Sequence, residues 1–210
     1  MRIDAHQHFW SIDRGDYGWL TPESGVLWRD YLPDDLTPLL AAGGIDRTIL
    51  VQAAPTEAET DFLLNLAAAT PFVAGVVGWT EFAAPDAPER IARLGQDRML
   101  VGLRPMVQDI PDDEWLLRPA LEPAFAALEA QDLVFDALVL PRHLRPLERI
   151  AARHQGLRIV LDHAAKPQIA HGALAFWRED IERLAAHPNV VCKVSGLVTE
   201  AGERWRLDDL

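Results

Sequence analysis

The feature that most constrains this chain is a rhythm of short apolar runs. They recur at residues 47 to 55 (RTILVQAAP), 71 to 79 (PFVAGVVGW), 99 to 107 (MLVGLRPMV), 133 to 141 (LVFDALVLP), 157 to 165 (LRIVLDHAA) and 189 to 197 (NVVCKVSGL). With the opening RIDAHQH they make seven candidate strands. Between them lie EAETDFLLNLAAA, DEWLLRPALEPAFAALEA, PLERIAARH and FWREDIERLAAH, whose apolar residues return every three or four positions, as on an amphipathic helix. Strands that are nearly apolar throughout, each followed by a helix, suit a parallel sheet buried on both faces. The reading is an α/β chain, a (β/α)8 TIM barrel with about seven of its units present, at roughly 25 to 35 residues per unit against a usual barrel length of about 250. No Pro/Gly/Ser-rich linker divides the sequence, so residues 1–210 read as a single barrel domain, incomplete at the C-terminus.

Composition sets the outer bounds. With 210 residues, 49% of them hydrophobic and 25% charged, the chain has ample material for a core. A formal net charge of −12 argues against a nucleic-acid or anionic-membrane surface. No stretch of about 18 apolar residues is present to span a bilayer, and the opening lacks the basic segment and apolar run of a signal peptide. A cytoplasmic location is the default, and a homo-oligomer stays open. The single Cys192 rules out an intrachain disulfide and a multi-cysteine metal site. Its apolar surroundings read as those of an inert core thiol.

In such barrels the chemistry gathers at the C-terminal ends of the strands. Alternation places Asp4, His6 and His8 on one face of the first strand and Ile3, Ala5 and Gln7 on the other. Two buried imidazoles and a carboxylate need a metal, a substrate or a hydrogen-bond network to offset their desolvation; the bland alternative is a surface hairpin with its histidines in water. Gln52 closes the second run, Trp79 the third, Arg104 lies near the end of the fourth, Asp162 and His163 end the sixth, Lys193 and Ser195 punctuate the seventh, and Glu200 follows. Singly, each has a structural role open to it: Gln52 satisfying loop backbone, Arg104 and Lys193 pairing with buried carboxylates, Asp162 lying between strand and helix. Taken together on one rim, His6, His8 and His163 read as a site.

The segments IDAHQHFW, YGWLTPE, RDYLPDDL, VQAAP, VGLRPMVQD, LDHAAKP and KVSGLVTEA carry a likeness that runs along the whole chain. It resembles the amidohydrolase superfamily, and within it the branch of sugar-acid lactonases of the L-fuconolactonase and L-rhamnonolactonase type. The opening His-x-His is shared by many metal hydrolases; LDHAAKP with KVSGLVTEA is far more specific. The resemblance implies a hydrolase that opens a sugar lactone to its aldonic acid by water attack on the carbonyl. It also exposes a departure. Relatives continue through an eighth strand whose SDWP-like aspartate is the general base, whereas this sequence stops at RWRLDDL, and Asp208 and Asp209 do not match that motif.

The same resemblance frames the metal question. A binuclear zinc site in the superfamily draws on a strand-four lysine and a strand-five histidine; here strand four offers Arg104, and VFDALVLP is followed by no histidine before His143. His6, His8 and His163 suffice for at most a mononuclear tetrahedral zinc site. The branch implied is one that works with no cofactor required, these imidazoles polarising the lactone carbonyl and Glu200 acting as general acid. Substrate contacts are expected from Gln52, Arg104, Trp79 and Trp10. The connection from Phe9 to Leu36 is long enough for a lid or binding loop, and two of its tryptophans, Trp10, Trp19 and Trp28, are expected in a minor core. Asp162 and Lys166 flank His163 and are candidates to orient it. Two rival readings remain: a zinc-dependent amidohydrolase or decarboxylase using the same histidines, and a non-catalytic truncated product.

Overall fold

A computed structural model describes residues 1–210. In chain order the main elements are β1 (Ile3–Gln7), α1 (Pro33–Gly43), β2 (Arg47–Val51), α2 (Glu57–Ala69), β3 (Val73–Gly78), α3 (Ala87–Leu94), β4 (Leu100–Leu103), α4 (Glu122–Ala130), β5 (Val134–Ala137), α5 (Leu144–Arg153), β6 (Ile159–Leu161), α6 (Ala175–Ala185), β7 (Val190–Cys192) and α7 (Leu197–Glu200). All seven expected strands are present, in an α/β chain. The residues form two compact units, Met1–Thr80 with Arg93–Arg104, and Glu81–Ala92 with Pro105–Leu210. No helix is long and apolar enough to cross a membrane.

In the first unit β1 pairs with β2, β2 with β3 and β3 with β4, all parallel. Gln7 stands opposite Leu50, Val51 opposite Val77 and Gly78 opposite Leu103, so the four strands end nearly level. β2 and β3 are covered on both faces because their residues are apolar on both: Leu50, Val51, Val73, Val76 and Val77 are all buried. Thr56 caps α2 by accepting from the Glu59 N–H at 3.0 Å. One turn later, Thr60 reaches the end of β3, its hydroxyl accepting from the Trp79 N–H at 2.8 Å and donating to the Trp79 carbonyl at 2.9 Å. Gly78 makes that approach feasible, since a Cβ there would lie 2.5 Å from Thr60 Cγ2.

In the second unit β5, β6 and β7 are parallel and in register, with Ala137 opposite Leu161 and Leu161 opposite Cys192. The core is anchored by Phe82, Phe125 and Phe135. Phe125 stands edge-on to Phe135 at 5.2 Å between centroids, and Phe82 lies 6.1 Å from each. Two expectations are corrected here. The helix expected over residues 113 to 130 is confined to α4, Glu122–Ala130, preceded by short 3-10 turns at Trp115–Leu117 and Pro119–Leu121; Pro119 and Pro123 lack the N–H that a helix interior needs and are tolerated only at its start. Cys192 is exposed, as is Val191 at 62%. β7 rests on β6, and the apolar composition of its run reports strand propensity, not how much covers it.

Truncating Phe135 to Ala is expected to destabilise the chain by about 3–5 kcal/mol, the usual cost of a large buried aromatic. Urea titration of Phe135→Ala against wild type checks this; a shift under about 1 kcal/mol would mean the aromatic trio is not a core.

Candidate active site

The parallel register delivers one residue from each strand of the first unit to the same edge: His8 after β1, Gln52 after β2, Trp79 after β3 and Arg104 after β4. The backbone continues the ladder there, Gln52 N–H to the Val77 carbonyl at 2.8 Å and Arg104 N–H to the Gly78 carbonyl at 2.9 Å. His6 and His8 share a face, as alternation requires, with rings 4.8 Å apart and edge-on. Their Nε2 atoms approach to 3.1 Å. His8 Nδ1 lies 2.7 Å from the Val51 carbonyl. A carbonyl only accepts, so Nδ1 carries the proton, and in the neutral ring Nε2 keeps its lone pair. The contact between the two rings then needs the proton on His6 Nε2. This donor set fits a metal ion once the His6 proton moves to its Nδ1: two imidazole nitrogens then converge with free lone pairs, and one ring is oriented by a bond from its far nitrogen.

Gln52 and Arg104 are both buried and tied to each other. Gln52 Nε2 donates to the Arg104 carbonyl at 2.9 Å, and Arg104 Nη2 donates to the Gln52 carbonyl and to Gln52 Oε1. Gln52 thus satisfies loop backbone, the structural role left open for it. Trp10 is buried, with its indole N–H donating to the Arg29 carbonyl at 2.8 Å and Tyr31 packed 4.8 Å away. Trp19 and Trp28 are 47% and 38% exposed. One tryptophan of the three is core, against the expected two. Short 3-10 turns and the Trp10–Tyr31 bridge fold the long loop onto itself, so a single anchor suffices.

In the second unit His163 opens a run of four non-glycine residues in the left-handed region, with φ of 51° at His163, 50° at Ala164, 59° at Ala165 and 53° at Lys166. Left-handed backbone costs an L-residue about 1–2 kcal/mol each, and such strain concentrates at functional sites. Surrounding bonds hold it. Ala164 N–H donates to the Lys193 carbonyl at 3.1 Å, the Trp177 indole N–H to the Ala164 carbonyl at 2.7 Å, and Lys166 Nζ to Gln108 Oε1 at 2.6 Å. His163 Nδ1 meets Ser195 Oγ at 2.9 Å. Gly196, at φ 66°, lies so close that a Cβ would stand 3.0 Å from His163 Nδ1. The segment after β7 therefore cradles the ring. Glu200 ends α7 half-buried, with Thr199 Oγ1 at 3.4 Å from Oε1.

Beneath that turn lies a buried charge cluster. Lys193 Nζ sits 2.6 Å from Asp136 Oδ2 and 2.7 Å from Asp162 Oδ1, with side-chain exposures of 13%, 2% and 0% respectively. Lys193 therefore takes the carboxylate-pairing role left open for it. Burial, then the neighbouring Asp162 charge, push the Asp136 carboxyl up to about 7, against the pull of Lys193. Asp136 was missed as a site residue, although a carboxylate inside the apolar run VFDALVL was a visible signal. His143, buried after β5, accepts the Leu140 N–H on Nδ1 at 3.1 Å, and burial holds its pKa below the usual value.

Residues 3–210 match the amidohydrolase family model. This chain belongs to the amidohydrolase family. The amidohydrolase is 53% identical over 202 residues to an L-fucono-1,5-lactonase of Burkholderia ambifaria, covering 96% of this chain and 70% of that one. It is 45% identical to an L-fucono-1,5-lactonase of Burkholderia multivorans, covering 98% and 71%. Its fold matches a crystal structure of an amidohydrolase from Burkholderia multivorans with bound zinc, at a TM-score of 0.91 and 44% identity, over all of this chain and 75% of that one. The barrel fold expected from the strand rhythm is thereby that of the family.

Replacing Lys193 by Met leaves two carboxylates buried face to face and is expected to cost about 3–5 kcal/mol, as for any buried ion pair that loses one partner. Denaturant titration of Lys193→Met and of Lys193→Met with Asp136→Asn reads it: the second change recovers part of the loss, whereas additive losses would contradict the cluster.

Proposed function

We propose that this amidohydrolase opens a sugar-acid lactone of the L-fucono-1,5-lactone type to its aldonic acid, water attacking the ring carbonyl. The observation that carries the reading is the 53% identity, over 96% of the chain, with a protein of that activity. The residues support it. His6 lies in the last two residues of β1, and His8 and His163 follow the C-terminal ends of β1 and β6, where the chemistry of barrel enzymes gathers. In the proposed complex these imidazoles face the lactone carbonyl; the N–H groups of His6 and His163 favour the developing oxyanion over the ground-state carbonyl, and His8, its own N–H held by Val51, orients His6. As the acyl carbon–ring oxygen bond breaks, Glu200 delivers a proton to that oxygen, which becomes a hydroxyl of the same open-chain acid. Trp79 offers an aromatic face to the sugar's C–H surface. The Gln52–Arg104 pair, with Trp10 behind it, supports the hydroxyl-binding side. The water-activating carboxylate is assigned by resemblance to an eighth-strand SDWP-like aspartate.

His6, His8 and His163 would hold a zinc ion, which supplies Lewis-acid polarisation of the carbonyl when bound. Turnover without it is part of the proposal, since by resemblance Arg104 takes the strand-four place of a bridging lysine, and the N–H groups of His6 and His163 can hold the carbonyl oxygen by hydrogen bonds alone.

The test is acid release from L-fucono-1,5-lactone, followed with a pH indicator, for these residues in a chain extended through an SDWP-bearing eighth unit. His163→Asn is expected to lower kcat by about 10²–10³-fold and Glu200→Gln by about 10²–10⁴-fold. Full activity in either variant would remove that residue from the mechanism, and no acid release from any sugar lactone would end the lactonase reading. Exhaustive chelation is expected to leave turnover in place; loss with EDTA and recovery with zinc would make the ion part of the chemistry.

A further inference from the structure

We infer that Glu59 is a positioning residue: its buried carboxylate fixes the turn that follows Gln52 so that Trp19 of the aromatic loop after β1 can grip it from the other side, and together they hold the substrate-binding side of the first unit in place. The inference rests on the proposed function only for its kinetic consequence.

Glu59 is fully buried although it lies on the first turn of α2. Both of its carboxylate oxygens accept from the Ala53 N–H at 3.0 Å, and Oε2 accepts from the Ala54 N–H at 2.7 Å. These two amides belong to the residues directly after Gln52. The same turn is gripped from the other side, where the Trp19 indole N–H donates to the Ala53 carbonyl at 2.8 Å. Tyr17 stands beside Glu59, and Ala53, Ala54, Trp10, Tyr17 and Leu20 form one apolar cluster around the clasp. The turn is therefore held by the Glu59 carboxylate at its amides and by the loop's Trp19 at its carbonyl. An acid with no catalytic step to perform stays buried at a desolvation cost, and here the return is a fixed turn.

The charges facing Glu59 are few. Asp16 and Tyr17 lie on the loop, with Arg14 bonded to Asp16 at 2.6 Å, and Asp16 also accepts from Thr56 Oγ1 at 3.2 Å. Burial pushes the Glu59 carboxyl up to about 7, Asp16 adding to the rise and the two amides and Tyr17 opposing it. Burial also holds the Tyr17 hydroxyl protonated well above its usual range. Protonating Glu59 converts one acceptor oxygen into a donor facing donors, and the clasp loosens as pH falls through about 7.

Two measurements test this separately. Amide exchange of the 210-residue chain at pH 8 is compared among wild type, Glu59→Gln and Trp19→Phe. Expected is at least tenfold faster exchange at Ala53 and Ala54 in Glu59→Gln and a smaller rise in Trp19→Phe, with Leu50 and Val77 unchanged. Unchanged Ala53 and Ala54 amides, or Leu50 exchanging faster in proportion, would overturn the clasp. In the lactone assay, Glu59→Gln is expected to raise KM at least fivefold with kcat within twofold, and the wild-type rise in KM below about pH 7 is expected to vanish in it. A fall in kcat at unchanged KM, or the same pH profile in both, would overturn the positioning role. If no lactone is turned over, the functional reading fails while the exchange result still decides the clasp.

Discussion

The hydrogen bond from His8 Nδ1 to the Val51 carbonyl, at 2.7 Å, is the constraint on which the first unit's chemistry depends. It exists only because β1 and β2 are parallel and in register near Gln7 and Leu50, which brings a residue just past one strand against the last carbonyl of the next. The bond sets the tautomer of His8, the tautomer leaves a lone pair on Nε2, and that lone pair receives the proton on His6 Nε2. A pair of neutral imidazoles with defined roles is what a carbonyl-polarising or metal-holding site needs. The order of causes runs from apolar strand composition, through parallel pairing, to the proton on one ring nitrogen.

The second unit solves the same problem at greater cost. His163 is presented by four left-handed residues in succession, a backbone that no local preference supports. What over-determines it is tertiary: the Lys193 carbonyl, the Trp177 indole, Ser195 and the absence of a side chain on Gly196. Lys193 serves twice, its backbone holding the turn and its ammonium neutralising Asp136 and Asp162 below. A lysine between two buried carboxylates is a poor device for stability alone; its position under a strained histidine turn makes specificity of that turn the better reason.

Much of this was legible in the sequence. The seven strands announced themselves because both of their faces are apolar, and the strand-terminal polar residues His8, Gln52, Trp79, Arg104 and His163 stood out against that background. What could not be read was tertiary. Nothing in LDHAAKP, which holds no glycine, signals a left-handed run. Nothing in NVVCKVSGL says that Val191 and Cys192 are uncovered, since strand propensity is silent about neighbours. Nothing in EAETDFLLNLAAA marks Glu59 as buried, because the amides of Ala53 and Ala54 that it meets are set in place by the tertiary fold.

The most direct test of the central claim is the tautomeric state of the two opening histidines, read from long-range nitrogen–proton correlations of the 15N-labelled metal-free chain near pH 8. The structure predicts opposite tautomers, His8 protonated on Nδ1 and His6 on Nε2. Finding His8 protonated on Nε2, or both rings in the same tautomer, would contradict the hydrogen bond to Val51 and with it the orientation of the site.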